Sequence, residues 1–385
     1  MDQQQPALHL SPAALLDRTR ALQPLLRDAA PRIEAARELP ADVLDALHDA
    51  GLFRLLIPRA LGGAEADLVT LARVIEAVAQ ADASCAWCLG QAAGCAMSAA
   101  YLPQDAAWQL FGRDRRAVLA WGAGASGQAE PDGEGWRVTG RWMFASGARH
   151  ATLLGAQCPL AGRDGEVRTF IFPRTATTLS DNWNVVGLRG TGSDSYAVAG
   201  LYVPDAHSLD RTRPAPHPPG ALYRVPLIQA YPIAFGAVAL GVARGMLDAV
   251  IALAVEKSPR GAGPMRENAG VQTLFGQWEA RWRAARSYLL GTAGTIWADL
   301  TAGQELSAAH SLDIRMSATH AMQESLAIVD AAYHEAGATA IFDSGPFERR
   351  LRDMHAVAQQ IQGRRANFEL AGKHLLGMTD TPLFF

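Results

Sequence analysis

The chain has 385 residues, and at ~150 residues per domain that length predicts two or three domains. Hydrophobic residues make up 49% and charged residues 19%, which excludes a disordered chain. Basic and acidic side chains number 35 and 38, and a net charge of −3 gives no strong field for nucleic acid or an anionic membrane. The opening Met1-Asp2-Gln3-Gln4-Gln5 lacks the basic start and apolar core of a signal peptide, and the apolar stretch 233–243 is too short to span a bilayer. A soluble, cytoplasmic protein is expected. Only Lys257 and Lys373 are lysines, so Schiff-base chemistry has two candidate amines, neither in a suggestive setting.

Residues 15–111 have helical periodicity. Pro40 stands at a helix start, Val43, Leu44 and Leu47 share a face, and Gly51 is placed to end it. After a break at 57–63 a second long helix begins near Ala66, with an Ala-rich stretch over 71–100. Cys85 and Cys88 have redox-motif spacing but lie inside this stretch, with no histidine or second pair for zinc; buried core residues are expected there and at Cys95. Residues 117–204 then alternate with period two, over 135–142 and 166–172, with Asp132-Gly133 as a hairpin turn and 196–203 as a further strand. The proline-rich segment 211–219 reads as a linker. Helices return at about 228–257, 267–299, 306–338 and 346–374, enough for an antiparallel bundle. The predicted domains are 1–115, all α; 116–215, β; and 220–385, a helical bundle. Trp278, Trp282 and Ala285 give the bundle more apolar surface than one core needs, which predicts a homo-oligomer.

Gly122, Gly124 and Gly127 fit the G-x-G-x-x-G fingerprint, but a turn and a strand follow where a pyrophosphate-binding helix is required. A Rossmann site is excluded. The same glycines allow a flat ligand close to the strand edges, and 187–194 is a second glycine-rich turn between strands. The sequence carries no Walker A, H-E-x-x-H or G-x-S-x-G motif.

The domain order and motifs together resemble the acyl-CoA dehydrogenase superfamily over about 30–375. The parts are Leu39-Pro40, Gly51-Leu52-Phe53, Ile57-Pro58 and Gly62-Gly63; then Asp82-Ala83-Ser84 with Trp87; Trp142 through His150; Val186 through Asp194; Ala336-Gly337-Ala338; and Glu348 through Asp353. The resemblance implies an N-terminal helical domain, a middle β-barrel and a C-terminal four-helix bundle. It implies a flavin, FMN or FAD, between the last two, usually in a homotetramer. By position, Trp121, Gly124, Ala125 and Ser126 together with Phe144, Ala145, Ser146 and Gly147 line the isoalloxazine. Ser146 falls near flavin N5, and Arg260 matches the arginine that reaches a neighbour's flavin phosphate. On the residues alone, Trp121 and Phe144 read as β-core and Arg260 as a solvated helix end.

The superfamily divides by chemistry. Dehydrogenases need a carboxylate to take an α-proton. Its usual place falls at Gln362, or the neighbouring Gln359 and Gln360, and no acidic residue lies between Asp210 and Asp248, where the alternative base would sit. The monooxygenase branch needs no such base: reduced flavin forms a C4a-hydroperoxide that oxygenates the substrate, in a site kept dry. Residues 142–150, 183–193 and 347–355 look more like that branch. Two of its histidines are absent, however, replaced by Cys95 and Gln360; His355, one turn from Gln360, either substitutes or is structural, and His150 supports the β-turn. The expectation is a flavin-dependent monooxygenase taking reduced FMN or FAD from a separate flavin reductase, acting on a small, aromatic molecule. Its rivals are an acyl-CoA dehydrogenase or oxidase with a displaced base, and a catalytically silent flavin-binding protein. No metal site, nucleic acid or membrane is expected.

Overall fold

A computed structural model describes residues 10–124, 126–211, 220–261 and 263–378. Ala125 and most of the expected linker 211–219 therefore lie outside the described residues. Ten α-helices and eight strands are described. The N-terminal part carries α1 (Pro12–Ala36), α2 (Ala41–Asp49), α3 (Leu68–Ala81), α4 (Ala83–Ala96) and the short α5 (Gln104–Ala107). Instead of one helical stretch over 71–100, the chain breaks at Asp82. That residue is extended, and its carboxylate accepts the Cys85 N–H at 2.8 Å, so it ends α3 and caps α4. Cys85, Cys88 and Cys95 are unpaired and buried on α4, as core residues.

The middle part holds β1 (Leu119–Trp121), β2 (Gly127–Asp132), β3 (Gly135–Trp142), β4 (Leu153–Pro159), β5 (Val167–Pro173), β6 (Thr178–Ser180), β7 (Ser195–Pro204) and β8 (Ser208–Leu209). The hairpin at Asp132-Gly133 joins β2 to β3, with Asp132 opposite Gly135. The expected barrel does not close. Two four-stranded sheets, ordered β1-β4-β5-β8 and β2-β3-β7-β6, enclose Trp136, Trp142, Phe170 and Tyr196. β6 and β8 are only three and two residues long, too short to complete a ladder between the sheets. Outside the strands, just the isolated bridges Ala129–Leu160 and Ala123–Met143 are formed among the described residues.

The C-terminal part contains α6 (Leu227–Glu256), α7 (Ala269–Thr301), α8 (Ala308–Ala336), α9 (Phe347–Ala358) and α10 (Ala366–Leu375). The expected fourth helix, 346–374, is thus two. Gln360 turns extended and its side chain accepts the Gln362 N–H, diverting the backbone into a tight turn over Ile361–Gly363. α6 is long and apolar enough to cross a membrane by composition, yet it is the central helix, buried against α3, α4, α7 and α8. A helix apolar on all sides suits that place. Gly241 lets α3 come against it, since a Cβ there would strike the Glu76 carbonyl.

The apolar residues expected to drive assembly are satisfied within the chain. Trp278, Trp282 and Ala285 are buried, and Trp282 donates its indole N–H to the Leu240 carbonyl at 3.0 Å. Exposed apolar side chains gather elsewhere, after α8 at Ile341 and Phe342 and around α10 at Phe368, Leu375, Leu376 and Met378.

Candidate functional site

Two segments predicted to face a flavin lie side by side. The Ala123 N–H donates to the Met143 carbonyl at 2.8 Å, joining the strand end at Trp121 to the turn that follows Trp142. Gly122 makes this approach possible, because a Cβ there would sit 2.6 Å from the Met143 oxygen. Phe144 holds a left-handed backbone (φ 62°) and leaves its ring 59% exposed, edge-on to Trp183 at 6.2 Å. A bulky residue in that conformation marks a site whose surroundings impose it. Ala145 beneath it is buried, and Gly147 donates its N–H to the Thr191 carbonyl at 2.8 Å. Gly124 follows the bridge with φ 78°. Ser126 is exposed and lines, with Gln128, Glu130, Arg137 and Thr139, a groove of about 770 Å³ on the outer face of β2, β3 and β7.

Ser146 is buried at the centre of a hydroxyl chain. Trp87 on α4 donates its indole N–H to Ser146 Oγ at 2.9 Å, Ser146 Oγ is 2.7 Å from Ser193 Oγ, and Ser193 Oγ is 2.7 Å from Thr191 Oγ1. Thr191 donates to the Leu188 carbonyl at 2.8 Å. Each hydroxyl has one proton, so this last bond fixes the others. Ser193 donates to Thr191, and Ser146 donates to Ser193. Ser146 therefore keeps one lone pair free and has no proton to give.

The turn carrying Ser193 is fastened from two sides. Asp194 accepts the N–H groups of Asn182 and Trp183 at 3.0 and 2.9 Å and the Arg149 Nε at 2.6 Å. Leu188, with φ 52°, donates its N–H to Asp353 Oδ1 on α9 at 2.7 Å. The charged cluster at 348–353 is a structural network: Arg352 pairs with Glu348 and with Glu34 on α1, and donates to the Val186 carbonyl. His150 is half-buried against Phe53 and lies under Gly147, with its pKa lowered to about 3 by desolvation of its ring, so it is a neutral support for the turn.

Other predicted residues lie apart. His355 Nε2 is 2.8 Å from Asp330 Oδ1 with both side chains about half exposed, and no described hydrogen bond or ring contact joins it to Ser146. Arg260 is exposed between α6 and α7. Cys95 is buried, and burial pushes its thiol up to about 12, so it is no substitute for a basic histidine. At the position of a dehydrogenase base, Gln362 is buried and its side-chain oxygen accepts from Arg315, while its carbonyl takes the Thr319 hydroxyl at 2.7 Å. An amide already committed in this way cannot remove a proton.

The Acyl-CoA dehydrogenase, N-terminal domain family matches residues 18–103 and the Acyl-CoA dehydrogenase, C-terminal domain family matches 233–363. The chain is 27% identical to indole-3-acetate monooxygenase of Pseudomonas putida, over 97% of this chain and 98% of that protein. It is 28% identical to the oxygenase component of the FADH2-dependent resorcinol hydroxylase of Rhizobium sp. (strain MTP-10005), over 97% of each chain. The crystal structure of 3-HSA hydroxylase from Rhodococcus sp. RHA1 superposes with a TM-score of 0.90 at 27% identity, covering 96% of this chain and 99% of that one. This chain belongs to the acyl-CoA dehydrogenase superfamily, in its flavin-dependent monooxygenase branch. It is accordingly a flavin-dependent oxidoreductase.

Sequence reasoning named the two segments that lie side by side here but missed the wiring behind Ser146. Trp87, Thr191 and Ser193 stood in quoted motifs, yet nothing in their spacing shows that α4 meets the 188–194 turn at one hydroxyl. Asp353 is a second such residue. Burial, with the Asp82 charge adding to it, pushes its carboxyl up to about 7. Unfolded, the group releases its proton near the ordinary 3.8, so between about 4 and 7 the folded chain binds more protons. Its contribution to stability therefore falls as pH rises through that window. Asp353→Asn keeps an acceptor for Leu188 and cannot ionise. Thermal unfolding across pH 4–7 should show the variant gaining on the native protein as pH rises, and a pH-independent gap would refute this account of Asp353.

Proposed function

We propose that the chain is the oxygenase component of a two-component monooxygenase. It takes reduced FMN or FAD from a separate flavin reductase and oxygenates a small aromatic substrate. The bound reduced flavin supplies the electrons that activate oxygen, by the C4a-hydroperoxide route. The observation that carries this reading is the direction of the hydroxyl chain. Ser146 presents an acceptor, and N5 of a reduced flavin carries a hydrogen where N5 of an oxidised one carries a lone pair. The relatives' names, an FADH2-dependent oxygenase component among them, support it.

The residues fit such a group. Gly122 and the Ala123–Met143 bridge leave a flat backbone edge with Trp121 and Phe144 on the two bridged segments, and Ser146, two residues after Phe144, keeps an open lone pair. Those residues with Gly124, Ala145 and Gly147 would hold the isoalloxazine, Ser126 the phosphate side, and Arg260 a neighbouring copy's flavin. Trp87, Ser193 and Thr191 keep Ser146 oriented, and the apolar wall of Trp87 and Phe235, stacked at 4.2 Å, excludes water. We also infer a homotetramer, supported by the exposed apolar side chains around 341–342 and 368–378, and a cytoplasmic location.

Anaerobic protein with chemically reduced FMN or FAD, mixed with oxygen, should show the transient absorption of a C4a adduct. Acyl-CoA thioesters should leave oxidised flavin on the protein unbleached. Rapid bleaching by a thioester would favour a dehydrogenase instead. Ser146→Ala removes a buried hydrogen-bonding group worth about 1–3 kcal/mol, so the fraction of oxygen released as hydrogen peroxide should rise several-fold with the fold intact. Unchanged coupling in that variant would reduce Ser146 to a packing residue. Light scattering at micromolar concentration should return a mass near four times 41.0 kDa, and a monomer would overturn the assembly.

A further inference from the structure

Two buried carboxyls stand behind the two ends of the hydroxyl chain. Asp82 caps α4, the helix that carries Trp87, by accepting the Cys85 N–H on Oδ1 at 2.8 Å. Asp353 on α9 accepts the Leu188 N–H on Oδ1 at 2.7 Å, and the Leu188 carbonyl closes the far end of the chain. Both carboxyls line one cavity of about 10 Å³, together with Glu34 of α1, Ser84 of α4, Arg189 of the 187–192 turn and Arg349 of α9. A space of that size holds a single water molecule. Arg189 brings to it a buried Nε that has no hydrogen-bond partner among the described residues.

The charges around the cavity do not balance two anions. Among the described residues lining it, Arg349 is the cation that acts on both carboxyls. Glu34 is taken by Arg352 at 2.6 Å, with Arg189 farther off at 3.8 Å. Arg350 lies against Gly245 of α6, donates to the Pro346 carbonyl and feels Arg27 of α1. The Cys85 thiol is kept neutral by burial. On α6 and α8, Arg244 pairs with Asp248 and Glu279, and Asp330 with His355. One carboxylate is therefore offset by Arg349, and a second would be a buried, uncompensated charge. Asp82 is the one suited to ionise, since the N-terminus of the 14-residue α4 favours an anion. Asp353 lies within α9, where burial and the Asp82 charge both favour its protonated form.

The turn between the two carboxyls has no slack. A Cβ at Gly187 would strike the Arg352 carbonyl of α9, and one at Gly190 would strike Ile33 of α1 and crowd Ser84 of α4. Any change in the separation of the pair is passed to Leu188 and, through the start of α4, to Trp87.

We propose that Asp82 and Asp353 are positioning residues acting as one unit: the pair carries a single proton on Asp353, directed across a one-water cavity to the Asp82 carboxylate, and so holds both ends of the hydroxyl chain at the spacing that keeps Ser146 in place. The proton sits on Asp353 Oδ2, because Oδ1 accepts from Leu188. Its loss sets two anions against each other and loosens both ends, while the proton order within the chain stays the same. The consequence for oxygenation rests on the reading of Ser146 as the flavin-facing serine.

The test uses the full chain labelled with carbon-13 aspartate and nitrogen-15 tryptophan. Infrared difference spectra should show a protonated aspartic carboxyl at pH 6 that is lost as pH rises through about 7. Asp353→Asn should remove that band, and Asp82→Asn should move its loss to lower pH. The Trp87 indole N–H resonance, assigned by its absence in Trp87→Phe, should shift over the same range in the native protein. It should stay fixed in Asp353→Asn, which keeps an acceptor for Leu188 and cannot ionise. Should Asp353→Asn fail to fold, the displaced titration in Asp82→Asn, followed by both signals, decides. No aspartic band at pH 6, a band unmoved by the folded variants, or a native indole signal that ignores pH would each overturn the proposal. The lifetime of the oxygen adduct formed with reduced FMN tests the flavin reading separately, and should shorten several-fold above pH 7 in the native protein but not in Asp353→Asn. No adduct at any pH, with both spectra as expected, sinks the flavin reading. An adduct whose lifetime ignores the aspartic titration sinks the inference.

Discussion

The backbone of Leu188 is the joint on which the site depends. Its N–H goes to the buried Asp353 carboxyl of the bundle, and its carbonyl receives both the Thr191 hydroxyl and the Trp183 indole at 3.0 Å. The two peptide groups that meet at Leu188 thereby tie α9 to the turn that orients Ser193 and Ser146. The left-handed backbone at Leu188 is unfavourable for a branched side chain, and these bonds, with a fourth from the Thr191 N–H at 3.2 Å, hold it. Loss of any partner would leave a buried polar group unsatisfied, at a cost of about 1–3 kcal/mol.

The packing of α6 makes the joint possible. Small residues along that helix bring α3 and α4 close, which sets Trp87 beside Ser146 and Phe235 beside Trp87. Without Gly241 the α3–α6 pair would separate, and α4, which follows α3 directly through Asp82, would move with it.

Long periodic elements were legible in the sequence. The bundle helices, the β2–β3 hairpin and the absence of a helix after Gly127 follow from local pattern, because side-chain period and turn chemistry are local properties. Boundaries set by a single side chain were not. Asp82 splits one expected helix and Gln360 another, each through a side-chain bond that competes with helix propagation. The closed barrel failed for a related reason, since strand length at the sheet edges is fixed by long-range pairing that alternation does not reveal. Trp278 and Trp282 carried a correct helical face and a wrong environment, for burial depends on which helix lies opposite. At the site, motif position points to Ser146, while the bonds that orient it come from residues far apart in the chain and are not visible in local pattern.

The hydroxyl chain has ends that cannot exchange roles. An indole nitrogen can only donate and a carbonyl oxygen can only accept, so the chain from Trp87 to Leu188 has one permitted proton order. Its bond dipoles add head to tail, from a negative end at the Trp87 indole nitrogen to a positive end at the Leu188 carbonyl carbon. The site thus has a built-in electrical polarity, set by four uncharged side chains and one amide and independent of pH across the range where the fold persists.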